Sequence, residues 1–338
     1  MKQTLKIQNW QLIRAKGRDE VLDLQNEEFV TVGKQAFRGK KRLEEITLPE
    51  GTSAIKAEAF CGCKRLKRIT LPSNNNIGLS TSAFAGCKRL FEVDNAHMVS
   101  QIGARAFRGC RSLHAISLGR DLHRIGDEAF AGCLGLTEII LPSSLKWIGK
   151  EAFAGCTELN RVCLEEGISS LSVGIFRNCI SLCSIELPTT LTKLPDKAFS
   201  GCSALTSFTV PAQIQQIGMH SFSGCSRLSE VTLELGVKRV GAFAFSNLPR
   251  LESVTVSHSL KRLGWGAFGL GFSKKKILLY VDNEYMYRKL RILTLLCGSY
   301  GRVQIEQIGK TIAERKRERH RSTVEQTPVH LLNDTTTE

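Results

Sequence analysis

The sequence is short of every feature that would assign it a reaction. No run approaches the ~18 apolar residues that a membrane-spanning helix needs. The opening Met1-Lys2-Gln3-Thr4-Leu5-Lys6 leads into Asn9, Gln11 and Arg14 instead of the apolar core of a secretory signal. A cytoplasmic or nuclear location is the expectation. Aromatic residues make up 7% of the chain, which leaves little surface for stacking on bases. Twelve cysteines in 338 residues are too few for a disulfide scaffold, and no Cys-x-x-Cys pair occurs. The seven histidines share no phase, and neither a nucleophile elbow nor a metal-binding helix motif is present. Gly309-Lys310-Thr311 suggests a phosphate loop, but Gln304 stands where that loop needs glycine. Catalytic residues, metal, cofactor and small-molecule substrate are therefore not expected.

What is present is a repeat. An Ala-Phe pair recurs as Ala36-Phe37, Ala59-Phe60, Ala83-Phe84, Ala106-Phe107, Ala129-Phe130 and Ala152-Phe153. It continues as Ile175-Phe176, Ala198-Phe199, Ser221-Phe222, Ala244-Phe245 and Ala267-Phe268. Every step is 23 residues except Phe60 to Phe84, where the extra residue falls near Asn74-Asn75-Asn76. A fixed period of this length marks a solenoid, whose units bury their apolar side only by stacking. In one unit, Ile139 and Leu141 alternate as a half-buried strand, and Pro142 ends it. Leu145 and Ile148 point inward again, Gly149 turns the chain, and Ala152-Phe153-Ala154-Gly155 starts a short helical turn. Strands about 4.8 Å apart make the stack about 50 Å long.

The motifs Leu182-x-x-Ile185-x-Leu187-Pro188 and Leu145-x-x-Ile148-Gly149-x-x-Ala152-Phe153-x-x-Cys156 resemble the BspA-like class of leucine-rich repeats. The resemblance spans about residues 21–281. It implies a leucine-rich-repeat solenoid: stacked parallel strands, short helical turns, one elongated domain and a strand/helix C-cap. The expected organisation is an N-terminal cap over 1–24, about eleven coils over 25–272, a capping strand and helix over 273–300, and a mobile basic tail over 301–338. The family includes microbial surface proteins that bind host matrix proteins, so a cell-surface adhesin is one reading that the resemblance implies.

Eight cysteines hold one phase: Cys63, Cys87, Cys110, Cys133, Cys156, Cys179, Cys202 and Cys225. Either they form a thiol ladder for redox or metal chemistry, or each is a small buried side chain filling one slot per coil. Lys40 and Leu248 take the slot in the first and tenth coils.

Charge is placed as deliberately as the core. The chain carries 47 Lys and Arg against 32 Asp and Glu, for a net +15. Residues 1–115 hold 20 basic and 11 acidic residues, 116–256 hold 12 and 13, and 257–338 hold 15 and 8. Ahead of the strand leucine, the early coils carry Lys41-Arg42, Lys64-Arg65, Lys88-Arg89 and Arg111. Equal phase stacks them in a column on one face, with Arg38, Lys67, Arg68 and Arg108 nearby. Like charges ~5 Å apart repel, so the column is either solvated and screened or matched by an acidic partner. The central strand positions, from Thr47 and Thr70 to Thr232 and Thr255, line a mildly polar second surface. The function expected is non-enzymatic: a scaffold that binds protein, with an acidic surface as the partner of the column. Nucleic acid or an anionic membrane is the alternative partner of the basic ends. The tail cluster Arg315–Arg321 reads either as a nuclear localisation signal or as a solvated charged tail.

Overall fold

A computed structural model describes residues 4–74, 76–269, 277–281, 288–292, 294 and 303–307. Each coil follows from its sequence in the same way. In the strand Glu138–Leu141, Ile139 and Leu141 are buried while Glu138 and Ile140 face out, the alternation a pleated strand imposes. It pairs in parallel with Arg161–Leu164 one coil on. Pro142 stops it, and the chain turns into Trp147–Ile148, a two-residue strand that pairs with Arg124–Ile125. A Cβ on Gly149 would lie 2.3 Å from the Asp127 backbone nitrogen, so the coils touch at this corner and glycine fits it best.

The Ala-Phe segment closes as isolated hydrogen-bonded turns. The N–H of Cys133 donates to the Phe130 carbonyl at 3.0 Å, and that of Ala131 to Glu128 at 3.1 Å. Glu128 (φ 54°) and Gly132 (φ 71°) are left-handed, so the turn cannot propagate into a longer helix. Its backbone also bonds to the next coil: Phe107 N–H to Ala129 O at 2.8 Å, Phe130 to Ala152 at 2.8 Å, Phe153 to Ile175 at 3.0 Å. The Ala-Phe turn ties every coil to the next from Phe37 to Ala267, and the Ile-x-Leu strand and the short second strand add two further lines over most of the stack. The second strand and the turn ladder are invisible to hydrophobic periodicity, because two-residue bridges leave no alternation to read.

Inside runs one column of rings. The eleven phenylalanines of the Ala-Phe position, Phe37 through Phe268 in repeat phase, are fully buried. Consecutive rings stack with centroids 4.8–5.9 Å apart and planes within 28° of parallel. Spacing and angle are inherited from the coil repeat, and each stacked pair contributes about 0.5–1.5 kcal/mol beyond its burial.

The Ile-x-Leu ladder is not continuous. One sheet runs from Val21–Asp23 to Glu92–Asp94, a second from Glu138–Leu141 to Ser184–Glu186, and a third from Ser207–Val210 onward. An aromatic side chain stands at the break before Ser207. Phe208 occupies a position that is Ile, Val or Leu in the other strands of the ladder, and its ring packs against Phe199 and Phe222 at 5.6 and 4.8 Å. The extra residue of the Phe60-to-Phe84 step falls between Arg68–Thr70 and Ile77–Leu79, since both ladders shift by 24 across it; Asn75 itself lies outside the described residues.

At the N-terminal end, Thr4–Gln8 and Gln11–Lys16 form an antiparallel hairpin whose second strand pairs in parallel with Thr31–Val32. Val21–Asp23 pairs with Glu45–Thr47. At the other end, Ile277–Val281 joins the sheet, and residues 288–292 and 294 are helical. A further strand, Val303–Gln307, then pairs in parallel with Ile277–Val281. Ordered pairing therefore continues past residue 301, where a mobile tail was expected to begin. Cys297, Gly309-Lys310-Thr311 and the Arg315–Arg321 cluster lie outside the described residues.

Phe153 sits mid-column, so Phe153→Ala is expected to cost about 3–5 kcal/mol through lost burial and the cavity left behind. Hydrogen exchange should show lost amide protection in the coils on both sides of it. Loss confined to the Phe153 coil would contradict a shared core.

Candidate functional site

Two columns deserve weighing as sites, one of thiols and one of cations. The eight in-phase cysteines are buried and free. Each thiol donates to a phenylalanine carbonyl of the preceding coil: Cys63 to Phe37 at 3.0 Å, Cys133 to Phe107 at 3.2 Å, Cys225 to Phe199 at 3.1 Å. That carbonyl already accepts a turn N–H, so the thiol fills its second lone pair. In these eight coils the slot thus holds a small apolar side chain with one weak donor. Among the described residues, no group of three or more His, Cys, Asp or Glu side chains comes together to hold a metal.

Burial sets the thiol chemistry. It pushes Cys133, Cys179 and Cys225 up to about 12, and Cys87, Cys110, Cys156 and Cys202 well above the ordinary thiol range. Cys63 is the exception. The neighbouring Cys87 thiol, with backbone donors and the Lys40 ammonium, holds its pKa below the ordinary thiol range. Cys183 is exposed, and Cys61 and Cys163 are half-buried.

The cation column is laid out on the surface as its phase required. Lys41, Arg42, Lys64, Arg65, Lys88, Arg89 and Arg111 are all exposed. Their stacking follows from the parallel register of the strands just beyond them, Glu45 opposite Arg68 opposite Glu92. Only Arg65 has an ion-pair partner among the described residues, Glu44 at 3.1 Å. Glu44 is mainly engaged by Lys67 at 2.6 Å, whose hydrogen bond holds its carboxyl below the usual range; Arg65 and Arg89 add to the effect.

The neighbouring cations behave differently. Arg38 pairs with Glu58 at 2.8 Å, Arg68 with Glu92 at 2.5 Å, and Arg105 and Arg108 both with Glu128 at 2.8 and 3.2 Å. The sequence pattern did not separate these from the column. Their carboxylates stand 20 to 24 residues away and become neighbours only through the coil stack. Arg124 is also occupied, lying over the Trp147 ring at 4.1 Å. The strand-face column is aligned in three pieces: Thr47, Thr70 and Asp94; Ile140, Cys163 and Glu186; Thr209, Thr232 and Thr255. Ser117 lies outside any strand, so this second surface is interrupted where the sheets break.

The family model described as BspA type leucine-rich repeat region, built of six copies, matches residues 30–160, 78–205 and 148–271. The chain belongs to the BspA-type leucine-rich repeat family. A leucine-rich repeat protein from Bacteroides ovatus has a similar structure, with 21% identity over 91% of this chain and 98% of that one and a TM-score of 0.54. The pneumococcal vaccine antigen PcpA matches at 18% identity over 88% and 92% of the two chains, TM-score 0.48. A Treponema pallidum leucine-rich repeat protein matches at 26% over 67% and 87%, TM-score 0.43. No curated protein matches the chain. Members of the BspA-type family are in general repeat scaffolds of binding type, not catalysts.

Two outcomes follow for the thiols. With alkylation at pH 8 read by peptide mass, Cys183 should react first and Cys163 and Cys61 more slowly. The in-phase thiols should react only on unfolding; native-state labelling of Cys133 or Cys179 would contradict their burial. Stability should hold up to about pH 8 and then fall toward about pH 9.5. Above the unfolded thiol pKa the unfolded chain sheds protons that the buried thiols keep, so rising pH favours unfolding. A denaturation midpoint that stays flat between those pH values would contradict this.

Proposed function

We propose that the protein is a non-enzymatic scaffold whose early coils bind an acidic protein surface through Lys41, Arg42, Lys64, Arg65, Lys88, Arg89 and Arg111. The observation that carries this reading is selective pairing. The cations around the column are neutralised by carboxylates of adjacent coils, whereas six of its seven members have no ion-pair partner among the described residues. A stacked row of uncompensated charge makes a shaped positive field, which favours a partner of opposite sign and speeds its approach. Placement in a reducing compartment, cytoplasm or nucleus, belongs to the same proposal and rests on the free thiols, including exposed Cys183.

A BspA-type surface adhesin is the second reading, and family membership favours it. Detection of the protein on intact cells would select it over the reducing-compartment reading.

Reversing Lys64, Arg65, Lys88 and Arg89 to Glu should abolish capture of acidic proteins from the native cell. Arg105→Gln with Arg108→Gln, which removes only paired charge, should leave capture intact. An unchanged set of partners after the fourfold reversal would sink the column as the binding surface.

A further inference from the structure

The N-terminal end of the solenoid holds a concave arrangement of cations. Where residues 13–19 of the hairpin and its following loop meet the first coil, two adjoining open clefts of about 880 and 380 Å³ share Gly17, Arg38, Gly39 and Lys40. The larger is also lined by Arg14 and Lys34, the smaller by Arg18, Lys41 and Arg42. Seven cations thus surround one depression, and Asp19 is the single carboxylate on its walls. Arg38 is paired with Glu58. Arg14, Arg18, Lys34, Lys41 and Arg42 have no ion-pair partner among the described residues.

Lys40 is the centre of this arrangement and a departure from the repeat. In eight later coils its slot holds a thiol that bonds a phenylalanine carbonyl. Here the side chain is half-buried, and its Nζ donates to the Gly17 carbonyl at 2.8 Å, pinning the loop to the coil. That bond uses one of three ammonium donors. Burial lowers the Lys40 pKa and Arg14 adds repulsion, while Asp19 opposes both. A cationic side chain is held in a partly desolvated slot that a neutral thiol fills elsewhere, among five further cations left unpaired. An anion entering the cleft relieves both the desolvation and the mutual repulsion.

The geometry points to a binding site for a compact ligand carrying two or more phosphate groups, held by Lys40 in the floor and by Arg14, Arg18, Lys34, Lys41 and Arg42 around it. Arginine forks suit phosphate oxygens in pairs, and the lysines add point charge. A single phosphate or sulfate would meet only part of the ring, which is why the class is an oligophosphate. The site shares Lys41 and Arg42 with the column but requires no protein partner.

Calorimetric titration of the full chain with tripolyphosphate near physiological salt tests it. One equivalent should bind, and sulfate should bind far more weakly. Arg18→Glu with Arg42→Glu should weaken tripolyphosphate by about tenfold or more. Lys40→Cys, which restores the residue the later coils use, should fold and melt normally and also lose affinity. The variant reversed at Lys64, Arg65, Lys88 and Arg89 should keep its tripolyphosphate affinity, so failure of the column and failure of the cleft are separable. Phosphatidylcholine vesicles bearing a bisphosphorylated inositol headgroup form a second arm. Vesicle capture displaced by tripolyphosphate identifies a lipid headgroup as the source; tripolyphosphate binding without vesicle capture identifies a free oligophosphate. Absence of tripolyphosphate binding, or binding that survives Arg18→Glu with Arg42→Glu, overturns the assignment.

Discussion

One backbone group recurs at the centre of the coil: the carbonyl of its buried phenylalanine. It accepts the turn N–H three residues on, and in eight coil pairs it also accepts the thiol of the following coil, as Phe107 does from Cys110 and Cys133. The same residue's N–H donates forward to the next coil, Phe107 to Ala129. A buried peptide group left unpaired would be costly, so these bonds fix how one coil sits on another. Ring stacking, strand register and the alignment of surface residues all follow from that seating. The cysteines are part of this framework. Their small size fits the slot, and their weak donor completes the carbonyl.

Rigid seating has an electrostatic consequence. Residues of equal phase lie about 5 Å apart, so a repeated cation becomes a column without further design. Nearby positions show the usual remedy, a carboxylate supplied by an adjacent coil, as Glu92 does for Arg68 and Glu128 for Arg105 and Arg108. Surface pairs of this kind add little to stability. Their value lies in cancelling repulsion between stacked like charges. Where the remedy is withheld, at Lys41 to Arg111 and around the Lys40 cleft, the field remains outward and available. Both regions lie in the first coils, which agrees with the charge excess of residues 1–115.

Much of this was legible in the sequence because a solenoid converts period directly into position. The phenylalanine column, the buried thiols and the exposure of all seven column residues follow from phase alone. The features that were not legible depend on contacts between residues about one period apart or on backbone atoms. The thiol bond to a carbonyl leaves no trace in residue type, and two-residue strands such as Trp147–Ile148 are too short to alternate. The contacts of Phe208 with Phe199 and Phe222 likewise appear only once the coils are stacked. The Lys40 substitution was visible as a missing cysteine. Its meaning required the hairpin loop to be folded against it.

The central claim is that uncompensated cations of the first coils, and not the neutral middle of the solenoid, face the partner. Lysine-directed cross-linking of the native complex, read by mass spectrometry, tests this most directly. Lys41, Lys64 and Lys88 should carry the cross-links to the partner, and exposed Lys146, Lys193 and Lys238 should carry none. Cross-links concentrated on Lys146, Lys193 and Lys238 would place the interface on the middle and late coils and contradict the account.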